Sequence, residues 1–137
     1  MAEEITISAT VKAPLEKAWD CFTNPAHIVN WYIGSTDWHT PTAVNDLQSG
    51  GTFDYRMEAV DKSAGFNFTG VYTEVVPMER IAYTITGGRK VRVSFQDFGG
   101  EVQVSQTIET ETENTVEKQK DGWQNIFNNY RRYVESE

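Results

Sequence analysis

From residue 42 to residue 109, apolar and polar side chains alternate with a period of two, and short turns are all that interrupt the runs. No other feature constrains the fold so strongly, because that period belongs to strands with one buried and one wetted face. The turns are Ser49-Gly50-Gly51, Asp61-Lys62-Ser63-Ala64-Gly65, Pro77-Met78-Glu79, Gly87-Gly88 and Gly99-Gly100. They predict strands over 42–47, 52–60, 66–76, 80–86, 90–98 and 101–109. Connections this short join antiparallel neighbours. Strands in unbroken succession, with no helical pattern between them, exclude a doubly wound parallel sheet.

Helical signals flank this block. After a further alternating strand at 5–11, Pro14 is expected as an early helical residue, with Leu15, Ala18, Trp19 and Phe22 following at helical spacing. Asn24-Pro25 ends that helix and supplies a cap and a first-turn proline for a second short one through Ile28 and Trp31. Near the end, Val116, Trp123, Phe127, Tyr130 and Val134 fall on one stripe, flanked by Ile126 and Tyr133. A helix over 115–135 would be about 30 Å long, the span of a strand of nine or ten residues. Gly122 implies either that the regular helix begins near Asp121 or that something packs closely there. The expected architecture is one α+β domain over 1–137, a strongly curved antiparallel sheet gripping a C-terminal helix.

Alternation also assigns faces. Phe53, Tyr55, Met57 and Ala59 share one parity and should face the helix; Asp54, Arg56 and Glu58 should form a solvated face. Phe66, Phe68 and Tyr72 share a parity with Gly70, which is expected to mark a bend or a close approach. Tyr83 lies on the apolar side of its strand, and Gln106 on that of the last strand, where a buried amide needs a partner. An inward set that is bulky, aromatic and polar-tipped fits a filled core or a cavity with tyrosine hydroxyls orienting a ligand.

Several function classes are excluded or disfavoured. A net charge of -8, from 20 acidic against 12 basic side chains, argues against nucleic-acid binding. Apolar runs are too short for a transmembrane helix. The acidic start Met1-Ala2-Glu3-Glu4 has no secretory character, and the single Cys21 fits a reducing cytoplasm. Cys21, His27 and His39 lack metal-ligand spacing, so neither a metal nor another cofactor is expected. No nucleophile elbow or phosphate-cradling loop is present. The remaining acid–base candidate is Asp37-Trp38-His39, in a stretch expected to be irregular.

Four ordered segments carry a resemblance: Asn30-Trp31; Asp46-Leu47-Gln48-Ser49-Gly50-Gly51-Thr52-Phe53; Gly70-Val71-Tyr72-Thr73-Glu74-Val75-Val76-Pro77; and Glu79-Arg80-Ile81-Ala82-Tyr83-Thr84. Gly122-Trp123 with Ile126, Phe127, Tyr130 and Tyr133 completes the set. Together they resemble the activator of heat-shock-protein ATPase homologue family, in the START-like, birch-pollen-allergen-like superfamily. The resemblance implies the helix-grip fold: a seven-stranded antiparallel sheet, two short helices and a long C-terminal helix. It also implies an elongated apolar cavity between sheet and long helix, used by superfamily members for lipids, polyketides or other hydrophobic molecules. The expected function is non-enzymatic binding of such a molecule, with a link to stress. The expected lining is Phe53, Tyr55, Met57, Phe68, Tyr72, Tyr83, Trp123, Phe127 and Tyr130, with Trp31 and Trp38 near the mouth. Alternatives are a chaperone-interacting module and, third, a cyclase or aromatase-type enzyme.

Overall fold

The computed structural model describes residues 3–33 and 36–136. The elements in order are β1 (Glu4–Val11), α1 (Leu15–Thr23), α2 (Pro25–Trp31), β2 (Trp38–Asn45), β3 (Thr52–Ala59), β4 (Gly65–Val76), β5 (Arg80–Ile85), β6 (Lys90–Asp97), β7 (Val102–Glu109) and α3 (Val116–Ser136). The seven strands form one antiparallel sheet in the order β1-β7-β6-β5-β4-β3-β2. It is a meander from β2 to β7, with β1 added beside β7. The short helices therefore carry the chain from one edge of the sheet to the other.

Local chemistry explains the boundaries. Asn24 both closes α1, by donating its N–H to the Asp20 carbonyl (2.9 Å), and opens α2, by accepting from the Ala26 N–H (3.0 Å). Pro25 follows as the first helical residue. Pro14 sits one position earlier than expected, as the N-cap of α1 in extended conformation. The Thr115 hydroxyl accepts from the Lys118 N–H (3.1 Å) and starts α3. The helix then runs through Gly122, and a Cβ built there meets nothing within 4 Å. Neither a late start nor close packing accounts for that glycine.

Two expectations need correction at the β2–β4 end. The strand expected at 42–47 begins earlier, at Trp38, so Trp38 and His39 are strand residues. A register shift between His39 and Thr42 brackets Pro41, which a bulged edge strand tolerates because no ladder N–H is needed there. Phe66, expected inside, is 50% exposed. It pairs with buried Met57, but the sheet there has run past its helical cover, and the Trp38 ring lies against it at 5.8 Å.

Elsewhere the faces are as the alternation requires. Phe53, Tyr55, Met57 and Ala59 are buried. On the outer face, Arg56 bonds Glu58 (2.9 Å) and Asn67 (2.8 Å), and Asn67 bonds Asp54 (2.7 Å). Gly70 marks a close approach: a Cβ would stand 2.6 Å from both the Phe53 ring and the Thr84 carbonyl oxygen. Gly70→Ala should therefore destabilise the protein by about 1–3 kcal/mol through overpacking. Gly122→Ala should stabilise it by about 0.5–1 kcal/mol. Urea unfolding of both variants checks the pair, and equal or reversed signs would contradict this packing.

Candidate ligand-binding site

The helical layer is seated on the sheet by aromatic contacts. From α3, the Tyr130 ring lies 4.9 Å from Trp31 and 5.2 Å from Phe22, and its hydroxyl donates to the Ala18 carbonyl (2.6 Å). Phe127 meets Phe22 edge-on at 6.1 Å. Trp123, a turn nearer the helix start, meets Phe68 of β4 at 6.0 Å. Trp31 donates its indole N–H to the Cys21 carbonyl (2.8 Å), locking α2 against α1.

One largely enclosed cavity of about 20 Å³ remains. Phe22 and Thr23 of α1, with Trp31 and Tyr32 at the end of α2, form one wall; Phe53, Tyr55, Tyr72, Ile81 and Tyr83 form the other. It has room for about one water molecule. The void thus lies between the sheet and the two short helices, rather than between the sheet and the C-terminal helix. Phe127 and Tyr130 are fully buried and fill the space under α3.

Of the residues expected to line a cavity, the structure brings Trp31, Phe53, Tyr55, Tyr72 and Tyr83 to it. The Met57 sulfur lies 3.3 Å from the Thr40 hydroxyl oxygen, and the residue belongs to the packed core. Phe68, Phe127 and Tyr130 also stand outside the lining. Trp123 borders an open groove of about 270 Å³ with Arg89, Lys118 and Gln119. Trp38 borders another of about 550 Å³ with Asp37, Val60 and Asp61. Phe22, Thr23, Tyr32 and Ile81 were not anticipated as lining. For Tyr32 the available signal was its place directly after Trp31, where the second helix ends.

The polar character of the cavity comes from phenols. Tyr32 faces Tyr83, and Tyr55 faces Tyr72. Asn45 of β2 donates to the Tyr72 hydroxyl (3.3 Å) and to the Thr23 carbonyl (2.8 Å), tying the cluster to the end of α1. The Tyr32 hydroxyl is buried and has no hydrogen bond of normal geometry. The Gln106 side-chain N–H2 is likewise buried and unpaired, between Ile7 and Val93 in the sheet. Burial raises the pKa of Tyr32, Tyr55 and Tyr83; neighbouring phenols add to the rise at Tyr32 and Tyr55, whereas at Tyr83 the charge of Tyr72 adds to it and the contact with Tyr32 opposes it. Burial also raises that of Tyr72, partly offset by bonds to Tyr55 and Asn45. These groups are neutral hydrogen-bonding hydroxyls at ordinary pH. No carboxylate or imidazole is among the described lining residues. Among the described residues no cluster of His, Cys, Asp or Glu could hold a metal, and no helix is long and apolar enough to cross a membrane.

A seven-stranded antiparallel sheet closed by two short helices and gripping one long C-terminal helix defines this chain as a helix-grip, START-like protein. It belongs to the family described as Activator of Hsp90 ATPase homolog 1-like protein, whose profile matches residues 12–135. The solution structure of an AHSA1-like protein from Aeromonas hydrophila is 39% identical, covers 98% of this chain and 93% of its own, and superposes with a TM-score of 0.92. A Cytophaga hutchinsonii protein is 43% identical over 97% of this chain and 92% of its own, with a TM-score of 0.84. A Nitrosomonas europaea protein shares the fold at 14% identity, covering 97% of this chain and 94% of its own, with a TM-score of 0.82. Among curated proteins, none matches the chain.

The buried phenols set an alkaline limit. Ionisation of Tyr32, Tyr55, Tyr72, Tyr83 and Tyr130 is disfavoured in the fold, so the unfolded chain gives up these protons first. Stability from this source is complete below the ordinary phenol value of about 10 and is lost as pH rises above it. Tyrosinate absorbance from these five should therefore appear together with loss of near-ultraviolet circular dichroism. A gradual rise near pH 10 worth more than one tyrosine, in protein that is still folded, would show that these hydroxyls are open to solvent.

Proposed function

We propose that this chain binds a small, neutral, largely apolar molecule, lipid-like or aromatic, between the short helices and the tyrosine side of the sheet. The observation that carries this reading is the Tyr32 hydroxyl: buried, with no well-formed hydrogen bond beyond its approach to the Tyr83 phenol, and lining a cavity ringed by three phenols. Leaving such a group unpaired costs roughly 1–3 kcal/mol, which a ligand oxygen would recover. The ligand's apolar body would gain roughly 25 cal/mol per Å² removed from water, before association costs. A cavity of about 20 Å³ does not hold such a body as it stands. Binding on this reading includes outward movement of the Tyr32 ring, while Phe22 and Trp31 stay packed against Tyr130. The apolar, hydroxyl-tipped lining and membership of a START-like family both support it.

Two-dimensional NMR titration against fatty acids and aromatic polyketides tests the proposal. Shifts should centre on Phe22, Tyr32, Tyr55, Tyr72 and Tyr83. Tyr32→Phe should weaken binding about 2–10-fold, the worth of one hydrogen bond, with little loss of stability. No response to any compound, or shifts confined to the open grooves, would count against it.

A second reading, contact with a chaperone, is favoured by the apolar surface of Trp38, Val60 (59% exposed) and Phe66 at the uncovered end of the sheet. If it holds, the chain should alter the ATPase rate of an Hsp90-class chaperone, and Phe66→Ser should remove that effect while leaving the NMR titration unchanged. An unaltered ATPase rate disposes of this reading.

A further inference from the structure

Away from the cavity lining, side chains from all three helices form a hydrogen-bonded relay. His27 of α2 contacts Asp20 of α1 through Nε2 (3.1 Å to Oδ2) and Tyr133 of α3 through Nδ1 (2.6 Å to Oη). Asn30, one turn further along α2, donates from Nδ2 to the same Oη (3.3 Å) and to the Ala26 carbonyl (3.0 Å). Asn24 donates to the other carboxylate oxygen of Asp20 (3.3 Å). A carboxylate only accepts, so the neutral imidazole carries its proton on Nε2 and turns the Nδ1 lone pair towards the Tyr133 hydroxyl. Oη thus donates to the ring and accepts from Asn30. This is the acid–imidazole–nucleophile order of an activated hydroxyl, with a phenol in place of an alcohol.

Access fits the same role. The His27 side chain is 28% exposed and that of Asp20 57%. Tyr133 is half-buried, whereas the other five tyrosines are buried. The ionisable groups in contact with the ring are Asp20 from α1 and Tyr133 from α3.

We propose that Tyr133 is an activated phenol, an acyl-acceptor site at which His27 Nδ1 serves as general base and Asp20 holds the ring in the required tautomer. The co-reactant is an activated acyl donor, an aryl ester or thioester. Oη bonds to the carbonyl carbon as the bond from that carbon to its leaving group breaks. The hydroxyl proton passes to Nδ1 and from there to the departing aryl oxide or thiolate. Donation from Asn30 Nδ2 steadies the negative character that Oη gains as its proton leaves. The products are O-acyl-Tyr133 and the free phenol or thiol.

p-Nitrophenyl acetate is the probe. The wild-type protein should release a burst of one equivalent of p-nitrophenolate and carry one acetyl group, mapped to Tyr133 by peptide mass spectrometry. Tyr133→Phe should abolish the burst. His27→Gln should slow acetylation about 100-fold near neutral pH, the usual worth of a positioned general base, and Asp20→Asn should fall between. In the wild-type protein Tyr133 should be acetylated about 100-fold faster than a free tyrosine amide under the same conditions. Acetylation elsewhere with Tyr133 untouched, His27→Gln reacting as fast as wild type, or a burst surviving in Tyr133→Phe would each overturn the proposal. Should His27→Gln loosen the helices, the comparison with the free tyrosine amide decides alone, and a Tyr133 acetylated no faster than that amide would overturn it.

Discussion

The packing of Tyr130 holds the architecture together. Its ring fills the space among Trp31, Phe22 and Phe127, and its hydroxyl closes on the Ala18 carbonyl at 2.6 Å. One residue of α3 thereby touches α1 and α2, so the short helices and the long helix behave as a single layer on the sheet. The contacts of α3 with β1 and the residue that follows it run along its length: Gln124 donates to the Ser8 carbonyl (3.3 Å), and Glu135 accepts from the N–H of Lys12, just beyond β1 (2.9 Å). Without Tyr130, these contacts would still hold α3 to one edge of the sheet, but α1 and α2 would lose their main anchor. The space under α3 is filled for this reason, and the remaining void is displaced towards the short helices.

Magnitudes explain why the interior tolerates imperfect hydrogen bonding. Each buried aromatic side chain removes about 150–250 Å² from water, worth roughly 4–6 kcal/mol at 25 cal/mol per Å². An unpaired hydroxyl costs roughly 1–3 kcal/mol. Tyr32 therefore gains more from its ring than it loses from its tip. The ring also packs at 5.1 Å from Tyr55 and 5.7 Å from Phe68, so a phenylalanine would serve packing alone. The hydroxyl is the part that packing does not explain. The positive charge of the Arg89 guanidinium opposes the rise at Tyr83.

Most of the fold was legible because the sheet is regular. Residues Phe53, Tyr55 and Met57 alternate with Asp54, Arg56 and Glu58, and a period of two leaves them only one arrangement. Gly70 was legible for the same reason, since a glycine on an inward parity signals a neighbour too close for a Cβ. The failures lie where the period breaks. Pro41 sits in a bulge and hid the first half of β2, and Phe66 has the inward parity at a point where nothing covers it. Parity reports the side of a sheet, not whether that side is roofed. The lining was only partly legible because the choice between α3 and the α1–α2 layer depends on which aromatic rings interlock across the core. Tyr130 and Trp31 are nearly a hundred residues apart in sequence, and no local pattern records that they meet.

The same packing determines which wall could yield to a ligand. α3 is held along its length and through Tyr130, whereas among the described residues the chain leaving α2 has two side-chain bonds to its carbonyls. The Thr40 hydroxyl donates to the Tyr32 carbonyl (2.6 Å), and Asn129 donates to the Ile33 carbonyl (2.8 Å). Two such bonds contribute about 1 kcal/mol each. Burying about 100 Å² of apolar ligand surface would yield roughly 2.5 kcal/mol, enough to offset their loss. Only a ligand that itself covers the displaced Tyr32 ring, and so keeps that apolar surface from water, leaves these two bonds as the main cost. Displacing Phe127 or Tyr130 would sacrifice stacked rings and the bond to Ala18 together. The energetics favour entry beside α2 and disfavour entry beneath α3.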